Sequence, residues 1–170
     1  HGGAVDVESR PGEGATFRLY FPAATDVREE LPDLPGLGGE TGLAPLRILH
    51  VDDEPALVLL MERALGRVGH IVRGFTDPYG ALLHFRAAPS AYDVVITDLT
   101  MPHMSGFDLA TEIRRVRPEI GIVLSTGYTE GVDDDRVREL SIDEVVAKPP
   151  SMPELLQTLD RVLSRRAHQG

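Results

Sequence analysis

The 170-residue chain has no cysteine, and lysine occurs once. Without cysteine there is no disulfide framework and no thiolate metal site. No apolar run approaches the roughly 18 residues that suggest a membrane span. No block of clustered Lys/Arg is present, and the net charge is −10. Phosphate backbones are held by clustered cations, so nucleic acid is not expected as a direct partner. No signal peptide is visible, which gives a cytoplasmic expectation with no membrane contact for these residues. The first residue is His1 rather than Met, and the chain reads as a piece of a longer protein, whose parent could be anchored upstream.

What remains is uneven along its length. Residues 1–22, HGGAVDVESRPGEGATFRLYFP, hold two short β-type segments around a Pro/Gly turn, the pattern of a hairpin. Residues 23–45 carry three prolines, four glycines and five acidic residues against Arg28, and read as a solvated linker. From Leu46 the pattern becomes regular. Strand-like RILHV, HIVRGF, YDVVIT, IGIVLST and EVVAK alternate with helical stretches. The first helix begins near Pro55, with Leu57, Leu60, Met61, Ala64, Leu65 and Val68 at helical spacing. Others are expected over Asp77 to Arg86 and Gly106 to Val116, and after a capping Ser151. Residues 131–140 suggest a short acidic helix or an irregular turn. Alternation with apolar strands implies an α/β fold with a parallel sheet covered on both faces.

In such sheets ligands sit beyond the carboxyl ends of the strands. The polar residues collect there: Asp52 and Asp53 after the first strand of this region, Asp98 after the third, Ser125 and Thr126 after the fourth, and Lys148–Pro149 after the fifth. Asp98 lies eight residues before the next helix, too early to cap it. Three converging carboxylates repel unless a cation sits among them. A hard divalent ion such as Mg²⁺ suits oxygen ligands. The lone Lys148 and the Thr126 hydroxyl add a cation and a donor suited to a phosphoryl group. A carboxylate can also act as a nucleophile that becomes an aspartyl phosphate. His50, His70, His84 and His103 share no metal-ligand spacing and read as packing or solvent residues. Asp133–Asp135 read as a solvated face, and the arginines of RRVR, 114–117, as flanking an exposed helix end.

The motifs VDDEP, VVITDLTMPHMSG, VLSTGY and AKP, in this order and spacing, resemble the receiver domain of two-component response regulators. The likeness covers residues 46–167, leaving 168–170 as a tail. It implies a flavodoxin-like, doubly wound five-stranded sheet of order 2-1-3-4-5. It further implies that Asp98 is phosphorylated and that Asp53 ligates Mg²⁺ directly, with Asp98 and the Thr100 backbone carbonyl; Asp52 supports them. By the same likeness Thr126 and Lys148 contact the phosphoryl group, and Lys148–Pro149 is a cis peptide. The partner implied is a phosphohistidine of the same or a cognate kinase, or of a phosphotransfer domain. The implied outcome is a switched surface near the fourth and fifth strands of that sheet. Two positions stand out as switch candidates. Val145 occupies a position often aromatic in the family, and Tyr128 follows Thr126 by two residues.

Residues 1–22 resemble the last two strands of a histidine-kinase ATP-binding domain, which implies a hybrid sensor histidine kinase as parent. The ATP site itself would lie upstream, so this chain is expected to show only self-phosphorylation and self-dephosphorylation chemistry. Two other readings compete. One is an unphosphorylated docking module, which the complete Asp98, Asp53, Thr126 and Lys148 set argues against. The other is a haloacid-dehalogenase-type phosphatase, which would need Asp-x-Asp; position 100 is Thr.

Overall fold

The computed structural model describes residues 4–10, 12, 14–20, 44–128 and 132–167. The chain divides into two units, residues 1–37 and 38–170. The linker expected over 23–45 lies almost wholly outside the described residues, as does the tail 168–170.

In the first unit, β1 (Ala4–Arg10) and β2 (Gly14–Tyr20) form an antiparallel hairpin. The register pairs Val5 with Leu19 and Val7 with Phe17, so alternation gathers the apolar side chains on one face. Arg18 on the other face binds Asp6 and Glu8. Gly12 and Gly14 take positive φ at the turn, which suits residues without a Cβ.

The second unit runs β3 (Arg47–Val51), α1 (Pro55–Arg67), β4 (Ile71–Phe75), α2 (Pro78–Ala87), β5 (Val94–Asp98), α3 (Gly106–Val116), β6 (Gly121–Thr126), α4 (Asp134–Glu139), β7 (Glu144–Ala147) and α5 (Met152–Ala167). All adjacent strands are parallel, in the order β4-β3-β5-β6-β7. Counting from β3, this is the expected 2-1-3-4-5 order. β5 and β6 are buried along their full length, as expected for strands covered on both faces.

The period-two alternation of the strands builds two cores. Leu49, Val51, Val95, Ile122 and Leu124 face one side, with Leu82 and Phe85 of α2 and Leu109 and Ile113 of α3. Ile48, Val94, Ile96 and Val123 face the other, with Leu65 of α1 and Leu155, Leu159 and Val162 of α5. Gly121 allows α5 to come close: a Cβ there would lie 2.5 Å from Val162 Cγ1. Ser105 and Asp108 form a reciprocal capping box on α3, and Asp77 caps α2. The hydroxyl of Ser151 accepts from Glu154 N–H at the start of α5.

Two details depart from the sequence reading. In α1, Val58 is buried and Leu60 is exposed, although Leu60 fits the helical spacing. The helix turns Val58, Met61 and Leu65 inward, three and four residues apart. Arg114 does not flank an exposed helix end. Its guanidinium, largely buried, donates to the carbonyls of Leu140, Pro118, Ile120 and Ser141 and to Asp143. Asp143 is nearly inaccessible. It also accepts from Arg166 at 2.8 Å and from the Ile122 backbone N–H at 2.8 Å. This cluster ties the ends of α3 and α5 to the start of β6, at the pole of the sheet away from the carboxyl ends.

Removing one member of a buried, hydrogen-bonded ion cluster strands the others, which typically costs about 3–5 kcal/mol. Asp143→Ala is therefore expected to destabilise the second unit by roughly that amount. Urea unfolding measures it; a loss under about 1 kcal/mol would show that solvent or rearranged arginines replace the carboxylate.

Candidate functional site

The parallel topology carries the ends of β3, β5, β6 and β7 to one rim. Backbone bonds continue past the strands and hold that rim together. Asp52 N–H donates to Phe75 O, Leu99 N–H to Ser125 O, and Lys148 N–H to Thr126 O at 2.8 Å. The structure brings Asp52, Asp53, Asp98, Thr126 and Lys148 to this rim. One carboxylate oxygen each from Asp52, Asp53 and Asp98 lies within 4.8 Å of the others. Asp52 and Asp98 are buried, at 1% and 5% exposure, and Asp53 is more open.

Lys148 Nζ lies 2.7 Å from Asp52 Oδ2 and 3.0 Å from Asp98 Oδ2. Asp52 Oδ1 accepts from Glu54 N–H at 3.0 Å, so both Asp52 oxygens are engaged. Burial pushes the Asp98 carboxyl above its ordinary range and the Asp52 charge adds to this. Hydrogen bonding and charge from Lys148 and the Thr100 backbone N–H oppose them and lose. Burial lowers the Lys148 pKa, but hydrogen bonds and charge from Asp52 and Asp98 outweigh it, and the ammonium is held above the usual lysine value. His50, two residues before Asp52, is buried with no partner for Nδ1. Burial, with a smaller push from Lys148, lowers its pKa to about 4 against the opposing Asp52 charge; the imidazole is neutral at pH 7.

Thr126 is buried and its hydroxyl faces its own chain: Oγ1 donates to Tyr128 O at 3.0 Å and accepts from Tyr128 N–H at 3.3 Å. Tyr128 is 85% exposed. Val145 is half-buried, packed against the same core as Val137 of α4. The Lys148–Pro149 bond is cis.

Gly106 carries a role that its reading as a helix start does not include. A Cβ there would sit 2.3 Å from the carbonyl oxygen of Asp98. Its N–H donates to Leu99 O at 2.9 Å. The loop from β5 thus returns onto the backbone of Asp98, and only a residue without a side chain permits that approach. The Pro102 and Gly106 punctuation signals the loop; the close return needs the folded chain.

Residues 48–160 match the model of the response regulator receiver domain, and the chain belongs to that family. Its relatives include sensor kinases. It is 28% identical to the sensor protein EvgS of Escherichia coli over 98% of this chain and 14% of that protein. It is 31% identical to the aerobic respiration control sensor protein ArcB of Escherichia coli, over 91% of this chain and 20% of that protein. The sensor kinase CckA of Brucella abortus is 29% identical over 97% of this chain and 18% of its own length. The chain thus spans a fifth or less of these relatives. Among solved structures, response regulator TrrA of Thermotoga maritima, in complex with Mg²⁺-BeF, matches at TM-score 0.62 and 33% identity, over 69% of this chain and 99% of that one. Chemotaxis protein CheY4 of Vibrio cholerae matches at TM-score 0.65 and 28% identity, over 71% of this chain and all of that one. These findings identify a two-component receiver domain, similar to those of hybrid sensor kinases. No described helix is long and apolar enough to cross a membrane.

A carboxyl group whose folded-state pKa is raised favours folding below its unfolded pKa, and that favour is lost as pH rises through the folded value. Ionised Asp98 therefore costs stability at neutral pH. Without added metal, Asp98→Asn is expected to raise the urea midpoint at pH 7, with the gain shrinking as pH falls through the raised folded value and gone once pH is below the usual carboxylate range. A lower midpoint at pH 7 would mean that the Lys148 contact outweighs the burial of Asp98.

Proposed function

We propose that this chain is the phosphoryl-accepting receiver of a hybrid sensor histidine kinase, with Asp98 as the acceptor. The observation that carries this reading is the Lys148 ammonium set between the carboxylates of Asp52 and Asp98, with the Thr126 hydroxyl on the neighbouring strand end. The donor is a phosphohistidine of the same or a cognate kinase, or of a phosphotransfer domain. A carboxylate oxygen of Asp98 attacks phosphorus, an O–P bond forms, and the N–P bond breaks. The imidazole leaves with the bonding pair and takes a proton from solvent. Burial raises the Asp98 pKa, and the ionised carboxylate is the form that attacks.

The chain's own residues then divide the work. Lys148 leaves Asp98 for a phosphoryl oxygen and keeps Asp52 as its second partner. The Thr126 hydroxyl turns from the Tyr128 carbonyl to donate to another phosphoryl oxygen. Gly106 holds the Asp98 backbone where the loop can close beside it.

The donor set fits Mg²⁺: three carboxylates, two of them buried, with hard oxygen atoms at mutual distances that suit one small ion. Asp53, Asp98 and the Thr100 carbonyl would hold the ion directly, and Asp52, already bound by Glu54 N–H and Lys148, would support them. When bound, Mg²⁺ supplies positive charge against the phosphoryl oxygens. The sensor-kinase relatives and the match along nearly the whole chain, hairpin included, support the hybrid-kinase parent and the division into a kinase remnant over 1–22, a linker over 23–45 and a receiver over 46–167. A cytoplasmic setting agrees with a phosphohistidine donor.

Incubation with a small-molecule phosphodonor and Mg²⁺ is expected to add one phosphoryl group per chain, mapped by mass spectrometry to the peptide containing Asp98. Chelation of the metal and Asp98→Asn should each reduce labelling at least a hundredfold, on the order of losing an essential charged group. Undiminished labelling of Asp98→Asn would overturn the assignment.

A further inference from the structure

The residue that leads into the receiver sheet is gripped through its main chain. Leu46 stands immediately before β3 and is buried in the cluster of Ile48, Leu65, Leu159 and Val162. Its carbonyl accepts from Ile71 N–H at 2.7 Å, and its own N–H donates to Nδ1 of His70 at 3.2 Å. The end of α1 puts His70 in place. Gly69 takes a φ of 92°, which suits a residue without a Cβ, and the N–H groups of Gly69 and His70 donate back to Gly66 O and Leu65 O. His70 is 4% exposed, and its Nε2 is buried with no hydrogen-bond partner among the described residues.

A ring nitrogen that accepts from a backbone N–H carries no proton, so this arrangement holds the neutral ring with its proton on Nε2. In the imidazolium both nitrogens carry protons. Nδ1–H would then meet Leu46 N–H, donor against donor, and Nε2 would still lack an acceptor. The charged groups of the surrounding elements offer no remedy. On α1, Glu62 accepts from Gly74 N–H, and Arg63 and Arg67 are themselves cations. On β3, Arg47 is paired with Asp93 at 2.7 Å, and on β4 Arg73 lies over the Phe75 ring. On α5, Arg161 and Arg165 hold Glu144, Arg166 holds Asp143, and Glu154 and Asp160 are exposed. Burial alone lowers the His70 pKa below its ordinary value.

We propose that His70 is an acid-sensitive clasp on the residue where the chain enters the receiver: the neutral ring holds Leu46, and protonation releases it. Release takes Leu46 out of the core shared by α1 and α5 and adds it to the segment that connects the two units. The clasp lies at the pole of the sheet away from Asp98 and acts whether or not Asp98 accepts a phosphoryl group. Its sign follows from linkage. In the open state the ring meets water and titrates at its ordinary value, whereas in the closed state it takes a proton only below that value. The grip is therefore complete above the ordinary histidine range. Opening becomes easier as pH falls through that range, by up to about tenfold per pH unit, until the closed state also protonates.

Amide hydrogen exchange in the full chain, from about pH 7.5 to about pH 5.5, tests this, each rate being divided by the intrinsic rate at that pH. Asp93 N–H, which donates to Arg47 O one residue further along, reports opening of the strand as a whole. In the parent, Leu46 N–H is expected to lose protection severalfold over this range while Asp93 N–H keeps its own. His70→Asn offers an amide oxygen that accepts but does not titrate; it should retain Leu46 protection and lose the pH dependence. His70→Leu fills the space without an acceptor and should leave Leu46 weakly protected at every pH. The ring of His70, assigned by NMR through its own backbone, should titrate below the ordinary histidine value. Leu46 and Asp93 changing in parallel in the parent would overturn the clasp. So would a parent-like pH response in His70→Asn, or a ring that titrates at or above the ordinary value; the first and last of these results need no variant.

Discussion

An ammonium held between two buried carboxylates governs the carboxyl end of this sheet. Three acidic side chains meet where β3 and β5 end, in surroundings that strengthen their repulsion. Lys148 offsets two of them at once, at 2.7 and 3.0 Å. Its position is set by β7, the edge strand, whose backbone bond to Thr126 O continues the ladder to the lysine itself. The two cores on either side of the sheet fix the strands, the strands fix their ends, and the ends place one cation against three anions. A site so balanced responds to any added charge. On the proposed function, a divalent cation would relieve the carboxylates and a phosphoryl group would give the lysine a new partner.

The opposite pole is built differently. There Asp143 gathers Arg114, Arg166 and the Ile122 N–H, and the arginines also bind carbonyls at the ends of α3, α4 and β6. The cluster is saturated with hydrogen bonds, and nothing in it awaits a ligand. One pole holds the helices in place, and the other keeps its charges available. α4 is held at its C-terminal end by the pole around Asp143, through Arg114 and the Leu140 carbonyl.

The architecture was legible because strand and helix periods alternate cleanly from Leu46 onward. The rim residues could be named because each lies where an apolar run stops: Asp52 after RILHV, Asp98 after VVIT, Lys148 after EVVA. A lone lysine among sixteen arginines marked itself. Pairings that depend on three-dimensional approach left no such trace. Arg114 looks like any arginine near a helix end until the loop after Leu140 folds over it. Gly106 looks like a helix start until the chain returns to the Asp98 carbonyl. The choice of Val58 over Leu60 as the buried face of α1 rests on the helix's rotation against β3 and β4. Leucine or valine at those positions satisfies the periodicity equally well.

Because Lys148 is the only lysine, its ammonium can be observed alone. Lysine-selective ¹⁵N labelling of the chain gives a single side-chain signal, which can be followed against pH and on adding Mg²⁺ with beryllofluoride. The account predicts that the ammonium titrates above the ordinary lysine range, as two carboxylates require. It predicts that this elevation falls in Asp98→Asn, and that the parent signal shifts when the phosphoryl analogue binds. A signal that titrates like a free lysine, unmoved by Asp98→Asn and by beryllofluoride, would contradict it.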